Sequence, residues 1–155
     1  PQKRVKNRGI SGDTSEGVYD RLAPIVKGKP AKIFIFIGIN DISRGIQVET
    51  IILNMKRIVE KIQNESPKTK IYIQSILPVN PDFGMFKDHQ KPQLIKEINQ
   101  QYQNIAKEYK VNYIDLYSYF LEEGTDKMNK NYTNDGLRLL GEGYLLWSEI
   151  IKPYL

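Results

Sequence analysis

The sequence predicts an α/β domain of the doubly wound type, a parallel sheet with helices on both faces. Three observations predict it. Strand-like and helix-like segments alternate along the chain, the strand-like ones are apolar nearly throughout, and the helix-like ones each carry one apolar stripe. Residues 31–37 (AKIFIFI) form a continuous β-branched and aromatic run, the pattern of a strand buried on both faces. Residues 70–77 (KIYIQSIL) repeat that pattern and are closed by Pro78, which cannot donate to a strand ladder. Residues 111–116 (VNYIDL) read as a further strand, and residues 4–10 contain a shorter one.

The helices follow from spacing. Residues 48–64 place Ile51, Ile52, Met55, Ile58, Val59 and Ile62 on one helical face. Residues 92–109 do the same with Leu94, Ile95, Ile98, Tyr102, Ile105 and Ala106. A first helix begins near Thr14 and is interrupted around Pro24. A last one spans residues 141–151 and carries the only tryptophan, Trp147. The longest irregular segment is residues 78–91, a loop following a strand.

A chain of 155 residues fits one domain with a sizeable core, and 40% hydrophobic with 26% charged residues argues against a disordered chain. No apolar run approaches the ~20 residues of a bilayer-spanning helix. With no cysteine, disulfides, thiolate metal sites and a cysteine nucleophile are excluded. The net charge of +5 comes from 23 Lys and Arg against 18 Asp and Glu. Its densest patch is Lys3, Arg4, Lys6 and Arg8. Basic residues are spread over the rest of the chain too, so the patch reads as the solvated flank of a strand and not as a nucleic-acid surface.

Ligands of doubly wound sheets sit at the carboxyl ends of the strands, which directs attention to three segments. Gly38-Ile39-Asn40-Asp41 follows the strand at 31–37. An Asn amide there can aim an N–H at a developing oxyanion, and Asp41 can cap a helix or brace the loop; Asn40 as a turn residue is the simpler alternative. One βα unit earlier, Gly12 permits close backbone approach, while Asp13 and Glu16 have the spacing of a helix-capping box. Asp135-Gly136-Leu137-Arg138 precedes the last helix.

Taken together, NRGISGDT, IFIGIND and NDGLRLLGEGY resemble, in order and separation, the second, third and fifth sequence blocks of the SGNH (GDSL) hydrolase superfamily. The match is closest to its branch of acetylesterases and platelet-activating-factor-acetylhydrolase-like proteins, and it covers essentially the whole chain. The resemblance implies a flavodoxin-like parallel sheet and serine-type hydrolysis of acyl esters, short acetyl esters and carbohydrate esters among them. It further implies that Gly12 (backbone N–H) and Asn40 (side-chain amide) are oxyanion donors and that Asp135 is the acid of a Ser-His-Asp triad. The implied partner is a small acylated substrate, with no metal or organic cofactor.

Two departures qualify this. The family's Gly-Asp-Ser block has no counterpart, and the family's histidine, three residues after the aspartate, is Arg138 here. A guanidinium stays protonated and offers no lone pair, so Arg138 cannot be a general base; it is expected to pair with Asp135. The only histidine, His89, stands at no family position and is expected at the surface or a pocket rim. Ser11, Thr14 and Ser43 lie near the crevice without an evident base. Phe83, Met85 and Phe86 can serve either as an apolar substrate wall or as a loop anchor.

In the common order of this fold the first strand lies between the second and third. The strand within residues 4–10 reads as the second and that at 31–37 as the third. A gap is therefore expected between them, along with an absent upstream βα unit of about 30 residues and exposed sheet edges open to another chain. The sequence thus reads as an ester hydrolase impaired as written; the alternative is a catalytically silent module that binds acylated ligands or a protein partner. A nucleotide binder is disfavoured, because Gly9-x-x-Gly12 is too short to cradle a phosphate.

Overall fold

The computed structural model describes residues 7–155. Lys3, Arg4 and Lys6 of the basic patch, and the start of the first expected strand, lie outside the described residues. Four parallel strands form one sheet in the order β1 (Asn7–Ser11), β2 (Lys32–Phe36), β3 (Lys70–Gln74) and β4 (Asn112–Ile114). The helices are α1 (Ser15–Asp20), α2 (Leu22–Lys27), α3 (Ile39–Ser43), α4 (Val48–Glu65), α5 (Pro92–Tyr109), α6 (Tyr117–Phe120) and α7 (Gly141–Ile151).

Alternate residues of a strand face opposite sides, and the sheet uses this to build two cores. Ile33, Ile35, Ile71 and Ile73 point to one side. There they pack with Val18 and Leu22 and with the stripes of α4 and α5; Ile51, Met55, Ile58, Ile62, Ile95 and Ile98 are wholly buried. Phe34 and Tyr72 point to the other side. They are register partners across β2 and β3, and their rings stack at 4.7 Å. Leu116, Phe120, Met128 and Ile151 complete this second, smaller core.

Several expectations need correction. β1 pairs directly with β2, from Asn7 opposite Lys32 to Ser11 opposite Phe36, so no gap separates them. Their backbone groups satisfy one another, and β1 becomes an edge strand exposed at every residue except Ile10. The first helical stretch breaks at Arg21, not at Pro24. Pro24 sits in the first turn of α2, where a missing N–H has no helical partner to lose. β3 ends at Gln74, before the expected Leu77: Ser75 N still donates to the Ile114 carbonyl of β4, but Ile76 N turns away to Asn99 Oδ1 at 2.7 Å. The bounds of α5 and α7 match the expected ones, and α4 exceeds its expected end by one residue. Among the described residues no helix is long and apolar enough to cross a membrane.

Candidate active site

The first half of the site grows from the end of β2. The buried Tyr102 hydroxyl donates to the Ile37 carbonyl at 3.0 Å and closes the strand. Gly38 then turns the chain at φ 129°, a conformation that favours glycine, and a Cβ there would also crowd Ile76 Cδ1 at 2.6 Å. The single turn of α3 follows and carries Asn40 and Asp41. Asn40 Nδ2 donates to the carbonyl oxygen of Gly12, which brings the two expected oxyanion donors together. An amide nitrogen has two N–H groups, so this bond leaves one to offer.

Asp41 is fully buried and reaches α1 across 26 residues of sequence. It accepts the Ser15 N–H at 2.9 and 3.1 Å and the Ser15 hydroxyl at 2.7 Å, while Asn54 Nδ2 donates to Ser15 Oγ at 3.0 Å. The carboxylate therefore satisfies the first N–H of α1 from α3. Burial raises its pKa, and the bonds from Ser15 work against that rise. The capping box expected from Asp13 and Glu16 is not made. Thr14 is the cap residue, accepting the Gly17 N–H at 3.2 Å, and Asp13 pairs with Arg21 at 3.6 Å on the surface.

The second half is the turn before α7. Asp135 Oδ1 accepts the N–H groups of Leu137 (2.9 Å) and Arg138 (2.8 Å), and Oδ2 accepts Arg138 Nε at 2.8 Å. Burial pushes the carboxyl up, but the two backbone donors and the Arg138 guanidinium outweigh it and hold the pKa at about 2. Gly136, at φ 85°, sets its carbonyl to receive Asn80 N–H at 2.8 Å, which ties the segment 78–91 to this turn.

That segment also reaches Arg138. Phe86 has the left-handed conformation φ 55°, ψ 49°, a strain of about 1–2 kcal/mol for a residue with a Cβ. Its ring lies 5.3 Å from the guanidinium carbon and meets His89 edge-on at 5.6 Å. The turn Lys87–His89 packs against α3, beside Asn40. His89 is half-buried, its Nδ1 buried without a partner. Burial lowers its pKa, and Asp88 opposes that shift.

Asn40 and Arg138 line one cavity of about 680 Å³ that runs along β1 and α7. Asp135 lies behind Arg138 and Gly12 beside the lining residue Ser11; neither lines the cavity itself, nor does His89. Phe83, Met85 and Phe86 do not form its apolar wall. Phe34, Phe36, Ile76 and Trp147 do, while Phe86 anchors the loop under Arg138 and Met85 is exposed. Trp147 is the sole tryptophan of the sequence, and Phe36 shares the Phe34 face of β2 by strand alternation, a signal the composition of the run does not single out. Among the described residues no Asp or Glu side chain lines the cavity, and its charged side chains are Arg8 and Arg138.

Of the hydroxyls expected near the crevice, Thr14 caps α1 and Ser43 Oγ donates to the Asn40 carbonyl at 2.9 Å, while Ser11 lines the cavity; the neighbouring Ser15 hydroxyl bonds Asp41. Among the described residues no hydroxyl is hydrogen-bonded to His89, and no group of three or more His, Asp or Glu side chains could hold a metal. Among the described residues the crevice therefore offers hydrogen-bond donors, with no histidine beside a hydroxyl.

Comparison with known proteins bears on this geometry. A protein of Escherichia coli named N-acylneuraminate cytidylyltransferase is 27% identical over 96% of this chain, which spans only 35% of that protein. A GDSL-like lipase from Bacteroides thetaiotaomicron has the same fold at a TM-score of 0.84, with 22% identity and coverage of 98% of this chain and 87% of that one. A lipase/acylhydrolase from Enterococcus faecalis superposes at 0.80 with 20% identity, covering 97% and 95%. The expected parallel α/β hydrolase fold is thus present. The model of the GDSL-like lipase/acylhydrolase family matches residues 1–146, a span that holds all three blocks and the sheet that carries them. This chain belongs to that family.

Proposed function

We propose that the chain carries the oxyanion-holding half of a serine-type acyl-ester hydrolase site and turns esters over poorly as it stands. The observation that carries this reading is the 2.8 Å pair between Arg138 Nε and Asp135 Oδ2. A triad aspartate orients a histidine that takes the proton from serine. Here the aspartate is occupied by a group that can only donate. Gly12 N–H and the free N–H of Asn40 remain suited to a developing oxyanion, and the nucleophile belongs, on this reading, to an upstream βα unit. Short acyl esters, including acetyl esters of carbohydrates, are the substrates we propose. The E. coli relative, named for a reaction on N-acylneuraminate, supports a sugar derivative. A second reading, a module that binds acylated ligands without turning them over, is favoured by a cavity lining that carries Arg138 where the family has its histidine and no Asp or Glu side chain among the described residues.

Hydrolysis of p-nitrophenyl acetate tests the first reading. The chain of 155 residues should hydrolyse it no faster than its Asn40→Ala variant, within about twofold. A fall of about a hundredfold on that substitution would show an oxyanion hole already serving a nucleophile in this chain, and would overturn the proposal.

A further inference from the structure

We propose that Arg138 makes this cavity a receptor for a carboxylate bearing an apolar tail, the acid form of an acyl group in place of its ester. The inference rests on the crevice of Asn40 and Arg138 being the family's ester site, and it changes the charge of what that site holds.

The orientation of Arg138 is fixed from two sides. Its Nε is held by Asp135 Oδ2 at 2.8 Å, and the ring of Phe86 lies 5.3 Å from its guanidinium carbon. The side chain nevertheless stays 72% exposed, and among the described residues its Nη edge meets no protein acceptor. Asp135 shares the guanidinium charge through Nε alone, because its Oδ1 is engaged by the N–H groups of Leu137 and Arg138 and by the Thr133 hydroxyl at 3.3 Å. A planar fork with two outward N–H groups matches the two oxygens of a carboxylate. One guanidinium already sharing charge with an aspartate suits a monoanion better than a doubly charged phosphate.

The rest of the lining agrees. An anion entering this cavity meets no Asp or Glu side chain among the described residues, and Asn40 contributes a further donor. Ile39, Ile76, Phe36 and Trp147 give the tail an apolar bed. The strain accepted at Phe86 acquires a purpose as well: its left-handed backbone places the ring under the guanidinium, making Phe86 a positioning residue for Arg138.

Trp147 lines the cavity and is the only tryptophan, so its fluorescence reports occupancy. Titration with octanoate should give a saturable change. Methyl octanoate, of the same length without charge, should bind at least about tenfold more weakly, as should octyl phosphate. Arg138→Ala should bring octanoate down to the affinity of the methyl ester, Arg138→Lys should recover only part of the difference, and Phe86→Ala should weaken octanoate more than the ester. Equal binding of octanoate and its methyl ester overturns the proposal, as does tighter binding of octyl phosphate or a preference that survives Arg138→Ala. The readout is occupancy without turnover, so the esterase reading can fail while this one stands, and the reverse.

Discussion

Asp41 and Asp135 are both buried carboxylates beside the strands' carboxyl ends, and they are held in opposite ways. Asp41 receives only neutral donors, from Ser15, in a closed interior between α1 and α4, and burial raises its pKa. Asp135 receives two backbone N–H groups and a guanidinium at the edge of a cavity, and its pKa falls to about 2. The first carboxylate joins two elements and touches nothing that a ligand could reach. The second holds an exposed charged group in place. Architecture and chemistry are thus divided between two residues of the same type.

The largest effect expected from breaking this contrast is on stability. Asp41→Ala should leave the Ser15 N–H and hydroxyl buried without their acceptor at the start of α1, at a cost of about 3 kcal/mol in urea unfolding. Loss of less than about 1 kcal/mol would mean that water replaces the carboxylate and that the interior is not closed.

Acid separates the two groups more finely. The Asp135 pKa is depressed from 3.8 to about 2, so its stabilising contribution is present above about pH 4 and is lost as pH falls toward 2. Asp41 acts in the opposite sense. Its folded pKa is raised, so the folded state takes up that proton more readily, and stability from this group increases as pH falls through that value. In Tm measured against pH, Asp135→Asn should remove the loss between pH 4 and 2 relative to the parent chain. An unchanged acid limb in that variant would show that the pairing with Arg138 does not bias folding.

Much of this was legible in the residues. The continuous run at 31–37 and the stripes of residues 48–64 and 92–109 declare their elements, because burial imposes period and composition directly. Gly12, Asn40 and Asp135 were recognisable as site candidates from their ordered blocks, and Arg138 as the group that pairs with Asp135. What was not legible depends on contacts distant in sequence. The bond by which Asp41 satisfies the first N–H of α1 spans 26 residues, and local spacing assigned capping to Asp13 instead. The stacking of Phe86 beneath Arg138 requires a backbone conformation that composition does not signal. The direct pairing of β1 with β2 followed from neither periodicity nor a rule of strand order.

The division of labour proposed for the site is tested most directly by one kinetic comparison. In a chain extended upstream by a strand ending in Gly-Asp-Ser, kcat for p-nitrophenyl acetate is measured with Arg138 and with Arg138→His. A serine whose neighbour cannot accept its proton should be nearly inert, and the histidine should raise kcat by about a thousandfold or more, because triad members act as a unit. Equal rates in the two proteins would contradict the account, for they would show that the base is not missing at position 138.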